Sequence, residues 1–391
     1  ITSPIFTKFH FTLLYSLFRF YGIIFLMINR RDFIKLAGTG ICAIALSPII
    51  NCRAFDTVSW PKINICNLPL RYQNILSLTQ QLEFSSLGML KNAPVIQTNF
   101  NKKFIEIAKH SPCWRFVTDQ PIGIAWHWFG DTSSFASTWY PNGTAKEYIE
   151  NGLCGDRSVQ FVVGDGKLQN NQNLLNDKLS IAQAEIPDEN GNWVSSAHII
   201  NVDRKLYENG IQYFANAYYS LCRDYGFHDP SSTTILQRLY QPGFNNRPNI
   251  QLIGIEIQGH SFNTTNAFPS NQKIANALSI SLALIKRHNI SSPAFNTYGH
   301  QELDFNKDDP GKNFIFEMKL LIGIYALISN DQELLHLVFN PFTINGTISK
   351  RRAVTNYFNF IKDYFKRTTE PTAAEYWLNY FQFDTVSNIM I

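Results

Sequence analysis

The chain has 391 residues, of which 16% are charged, 14% aromatic and 45% hydrophobic, with a formal net charge of +4. That length buries a full core, and sparse charge with abundant aromatics excludes a disordered tail protein. The small positive balance contains no long basic run, which argues against nucleic acid as a partner and agrees with a polyanionic surface such as a cell wall.

In chain order, residues 1–26 begin without methionine and fit no targeting pattern, so they are expected to be upstream translation, with Met27 as the true start. Residues 27–54 resemble a twin-arginine export signal. Arg30-Arg31 is followed by Phe33, Lys35 and the mildly apolar run from Ile41 to Ile50. Gly38, Gly40 and Pro48 break that run, which is short of the roughly 20 residues a membrane span needs. The expectation is therefore an exported chain, in the periplasm or cell envelope, with no stable span once the signal is removed. Cleavage is expected after Ala54. Lipid attachment at Cys52 is the lesser alternative, because Asn51 is a poor match to the small residue expected before such a cysteine. There are six cysteines and no C-x-x-C pair, so a sulfur-only zinc site is not expected. Export permits disulfides among Cys66, Cys113, Cys154 and Cys222, but their spacing leaves the pairing open.

Residues 55–114 read as an N-terminal extension packed on the main domain, with helical spacing over Ile75–Met89 and again over Asn101–His110. Ile122–Trp128 is a buried-strand pattern ending in His127, and Ser158–Val163 is another, followed by a turn at 164–167. Leu206–Tyr225 has helical spacing and stops at Gly226. Gln251–Ile257 predicts a strand, and Asn271–His288 a helix with Ser270 as its N-cap. A short strand precedes His300, and a helix is expected over Phe314–Leu327. Beyond Ser329 lie two or three aromatic-rich amphipathic helices, the last opened by a capping box at Thr372–Glu375. Their aromatic faces are expected to be core, with partner binding as the alternative. The order of elements predicts an α/β fold, a mixed central sheet flanked by helices with an added C-terminal helical segment at 326–391.

Four polar residues stand out of this frame: His127, Glu256, His300 and Asp309. Each has an ordinary explanation alone. A strand histidine is commonly a hydrogen-bonded core residue, Glu256 alternates so that it could face solvent, and Asp309 precedes a Pro-Gly turn. His300 and Asp309 are nevertheless metal ligands of the nitrogen and oxygen kind. Pro310-Gly311 suits the centre of a type II turn. Lys307 and Asp309 share a side in extended backbone, which would bring a cation and a ligand to one point.

Together these residues resemble the zinc-dependent type-2 N-acetylmuramoyl-L-alanine amidases, whose fold is shared with peptidoglycan-recognition proteins. The matching blocks are Ile124-Ala125-Trp126-His127, then Ile253-Gly254-Ile255-Glu256-Ile257. The most specific block has Gly299-His300, then Lys307-Asp308-Asp309-Pro310-Gly311 and Phe314. The resemblance covers about 115–325. It implies Zn2+ held by His127, His300 and Asp309 with an open position for water, Glu256 as general base and acid, and Lys307 as oxyanion partner. The implied reaction cuts the amide between N-acetylmuramic acid and L-alanine of peptidoglycan or its fragments (muropeptides).

Two departures qualify it. Many relatives have a tyrosine where this chain has Val159-Gln160-Phe161, which leaves Glu256 the favoured base. An insertion at about 170–250 contains Trp193 and His198. His198 and His260 are alternative ligands outside the family pattern. A non-catalytic peptidoglycan-recognition module is the second reading. The third is an unrelated zinc hydrolase or structural envelope protein, which three ligand side chains farther than about 5 Å from a common centre would favour.

Overall fold

A computed structural model describes residues 59–91, 121–128, 159–164, 181–185, 187–188, 190–191, 193, 221, 224–225, 252–257, 269–303, 307–343 and 346–390. The chain divides into two units, 1–58 and 59–391, and every described residue lies in the second. The upstream segment, the export signal and its Cys52, the helix expected at 101–110, His198 and His260 all lie outside the described residues. So does most of the insertion. No helix among the described residues is long and apolar enough to cross a membrane.

The centre is a five-stranded mixed sheet made of β1 (Gly123–Trp128), β2 (Phe161–Val163), β3 (Ile181–Gln183), β4 (Leu252–Ile257) and β5 (Thr297–Gly299), in the order β3-β2-β4-β1-β5. The pairs β2–β4, β4–β1 and β1–β5 are parallel, and only β3 runs antiparallel at its edge. Parallel strands need both faces covered, which is why β1 and β4 read as nearly unbroken apolar runs. β3 went unread because Ile-Ala-Gln is too short to show a period.

The register places Trp126, Ile255 and Phe161 on one face, and His127, Glu256 and Val162 on the other. Helix α2 (Asn271–Arg287) and helix α5 (Lys312–Ser329) pack on the first face. Trp126 Nε1 donates to Ser281 Oγ of α2 at 3.1 Å, and its ring meets Phe314 of α5 edge to face at 5.9 Å. Ser270 caps α2 as expected, accepting from the Lys273 N–H at 3.2 Å.

At the N-terminal end, helix α1 (Leu70–Leu78) starts earlier than the 75–89 spacing implies and stops at Thr79. An irregular segment follows, with an isolated antiparallel bridge between Phe84 and Leu90. Arg71 fixes α1 with a two-pronged ion pair to the fully buried Glu317 of α5, at 2.6 and 2.9 Å. Tyr72 OH donates to the Phe381 carbonyl at 2.8 Å.

Beyond the sheet, α3 (Pro293–Asn296) leads into β5, α4 (His300–Leu303) follows it, and α6 (Gln332–Phe339), α7 (Lys350–Thr368), α8 (Pro371–Tyr380) and α9 (Phe383–Met390) form the C-terminal helical region. Most of their aromatics are core: Phe339, Tyr357, Phe358, Phe360 and Phe365 are almost wholly buried, whereas Tyr376 and Tyr380 of α8 are exposed. Helix α8 starts before the expected capping box. Pro371 occupies its first turn and Glu370 accepts from the Ala373 N–H, so Thr372 is already inside. The described end of the insertion leans on α7, where Tyr225 OH donates to Asp363 at 2.7 Å and Arg367 pairs with Asp224.

Candidate metal centre

The site is built where the parallel strands end, the position at which open α/β sheets carry their ligands. His127 is the penultimate residue of β1, and Glu256 the penultimate residue of β4 directly beside it in register. Neighbouring strands lie about 4.8 Å apart, so the two side chains leave one face as immediate neighbours. Both are fully buried, which removes the solvated-face explanation for Glu256. His300 is the first residue after β5, and continuing the β1–β5 register sets it opposite His127. The two imidazole centroids are 4.4 Å apart.

Asp309 reaches the same point from a loop. Its Oδ1 lies 3.1 Å from His300 Nδ1, and its Oδ2 lies 3.8 Å from His127 Nδ1. The Trp128 N–H at the end of β1 donates to Oδ2 at 3.3 Å. The carboxylate is thus seated between two imidazoles and tied to the strand that carries one of them.

Offering one ligand atom each, His127, His300 and Asp309 lie within 4.8 Å of one another, all buried. Two imidazoles and a carboxylate form a nitrogen–oxygen donor set suited to a borderline divalent ion, and the packing brings the donors close enough to share one. The buried group fits a metal ion.

Local sequence explains the convergence. Gly299 precedes His300 where a Cβ would meet Ile315 Cδ1 at 2.2 Å, so glycine lets β5 pass under α5 without displacing the Ile315 side chain. The Pro-Gly turn differs from the type II expectation. The Asp309–Pro310 peptide is cis, and Gly311, at φ 108° and ψ 143°, serves as the N-cap of α5. That backbone is open to glycine and strained for other residues. The loop is held from α4, where the Gln301 N–H donates to the Asp309 carbonyl at 2.9 Å and Gln301 Oε1 accepts from the Gly311 N–H at 3.0 Å.

Lys307 is exposed whereas Asp309 is 4% exposed. Their shared side therefore does not carry both inward, because Asp309 is drawn to Trp128 and Gln301. At the position without a tyrosine, Gln160 Oε1 accepts from the Gly254 N–H of β4 at 2.6 Å, two residues before Glu256. Gln301 and Glu302 were not singled out from sequence. The available signal was two polar residues directly after His300, in a stretch too short to show a solvent-facing period. Cys66 is an exposed free thiol, and the other cysteines lie outside the described residues.

No family model matches this chain, and neither a curated protein nor a solved structure gives a significant match.

Proposed function

We propose that this chain is an exported zinc-dependent amidase that hydrolyses the bond between N-acetylmuramic acid and L-alanine in peptidoglycan or muropeptides. The observation that carries the reading is the meeting of His127, His300 and Asp309, with Glu256 in register beside His127. These are the residues, distant in sequence, to which the motif resemblance gives the chemistry.

His127, His300 and Asp309 would hold the ion. When bound, zinc supplies Lewis acidity, which polarises the scissile carbonyl and lowers the pKa of water toward about 7. Glu256 accepts a proton from the attacking water at a carboxylate oxygen and returns one to the departing amine nitrogen of L-alanine. Burial suits this role, because a carboxylate shielded from bulk water exchanges its proton with the substrate rather than with solvent. Lys307, on the exposed approach to Asp309, brings a flexible cation to the oxygen that gains charge as the carbonyl becomes tetrahedral. The export signal read at 27–54 would deliver the chain to the compartment that contains this substrate.

The test is to incubate purified, metal-replete protein with muropeptides, with and without chelator. Release of intact stem peptide that chelation abolishes supports the reading, and metal-replete protein that releases none refutes it. A His300→Ala variant that still binds wall but no longer cuts separates catalysis from recognition. Wild-type protein that binds wall and never cuts is the recognition module instead.

A further inference from the structure

Resting on the metal reading above, we propose that Tyr364, in the C-terminal helical region, is a positioning residue for the metal ligand His300, acting through Glu302. Three successive residues of α4 divide the work. His300 is the ligand, Gln301 clasps the Asp309 loop, and Glu302 faces away from the donor cluster into the seam between β5, α5 and α7. Glu302 is 4% exposed. Its Oε2 accepts from the Gly299 N–H at 3.0 Å, the amide of the residue immediately before His300. Its Oε1 accepts from the Tyr364 hydroxyl and has Lys312 Nζ at 3.5 Å.

The phenol is itself held. Lys312 and Lys319 ammoniums lie 5.9 and 5.5 Å from the Tyr364 ring centroid, within the range in which a cation is attracted to an aromatic face. Phe360 stacks on the ring at 6.2 Å. Lys319 is anchored in turn by the carbonyls of Ala294 and Thr297, on either side of the entry to β5. The Glu302 carboxylate therefore joins the backbone that aims His300 to a helix more than sixty residues later in the chain. A buried carboxylate that loses such a partner must find another or move, and movement of Glu302 is passed to the Tyr298–Gly299 peptide and through Gly299 to His300.

The probe is Co2+, whose visible absorption reports ligand geometry, titrated into the full chain and into Tyr364→Phe. Residues that orient metal ligands typically contribute about 10–100-fold in affinity. Tyr364→Phe should weaken cobalt binding by that factor and shift the spectrum while the chain stays folded. Tyr357→Phe is the control. It lies on the same helix, and its hydroxyl donates to the Lys319 carbonyl at 2.7 Å. It should lower the melting temperature comparably and leave the cobalt spectrum unchanged. Glu302→Gln keeps an acceptor for the Gly299 amide and should shift the spectrum in the same direction, which reads the link even where Tyr364→Phe does not fold. Wild-type affinity and spectrum in folded Tyr364→Phe, or the same spectral change in Tyr357→Phe, would overturn the inference while leaving the metal reading intact. Wild-type protein that takes up no cobalt would overturn the metal reading and this inference with it.

Discussion

Glu256 is fully buried and His288 partly so, and they differ in what surrounds them. Glu256 stands in register beside His127, and proton transfer is the role proposed for its carboxylate. Glu256→Gln keeps size and hydrogen-bonding capacity but cannot take a proton. It should retain one metal per chain and lose about 10²–10⁴-fold in muropeptide turnover, measured by chromatography of released peptide. His288 closes α2 with its ring edge to face on Trp193 at 5.3 Å, and Nε2 has no hydrogen-bond partner among the described residues. Burial, and then the adjacent Arg287, push its imidazole down to about 4. Between the ordinary value near 6.5 and about 4, the unfolded chain binds a proton that the folded chain does not. Stability is thus full above about 6.5 and falls as pH drops toward 4, by on the order of 1–3 kcal/mol. His288→Phe preserves the ring contact and should flatten this part of the pH–stability curve, read by denaturant unfolding at pH 7 and pH 4.5. An unchanged slope would show that the proton is taken up elsewhere.

The short elements around the site are fixed by close approach more than by propensity. β5 is three residues long and α4 is four, yet together they aim His300, because Gly299 leaves room for Ile315 where an added Cβ would force that side chain to move. Gly299→Ala should cost about 1–3 kcal/mol from overpacking and also weaken metal binding, as seen by comparing melting temperatures and metal content. A variant that loses stability but binds metal normally would mean that β5 shifts without carrying His300. This is also where sequence was least informative. The strands β1 and β4 and the helices α2 and α5 were legible, since each is a long apolar run or period with a cap or a glycine at its end. β3 was not, and neither was α4, because so few residues show no period. The start of α8 was misplaced because Thr372–Glu375 matches a capping box while Pro371 and Glu370 open the helix. Two members of the buried donor cluster were legible as candidates from the Gly299-His300 and Asp309-Pro310-Gly311 blocks. Gln301, Glu302 and Tyr364 were not, since their roles arise from contacts between elements.

Over the molecule, the described N-terminal and C-terminal parts are structural members of the sheet-bearing unit. Arg71 reaches from α1 to Glu317 within α5, and Tyr72 reaches the backbone at Phe381. Removing one partner of such a pair strands a buried charge, so Arg71→Ala should destabilise by about 3–5 kcal/mol, measured by urea unfolding. A loss under about 1 kcal/mol would show that water reaches Glu317 and that α1 is dispensable. The central claim is that the His127, His300 and Asp309 cluster holds a metal ion used to cut a muramoyl-alanine amide. Its most direct measurement is metal content alongside muropeptide cleavage, on the same preparations of wild type, His300→Ala and Asp309→Asn. The account predicts one zinc per wild-type chain with release of intact stem peptide, and loss of both in the two variants. Zinc retained at wild-type level in both variants, or a zinc-loaded wild type that releases no stem peptide, would contradict it.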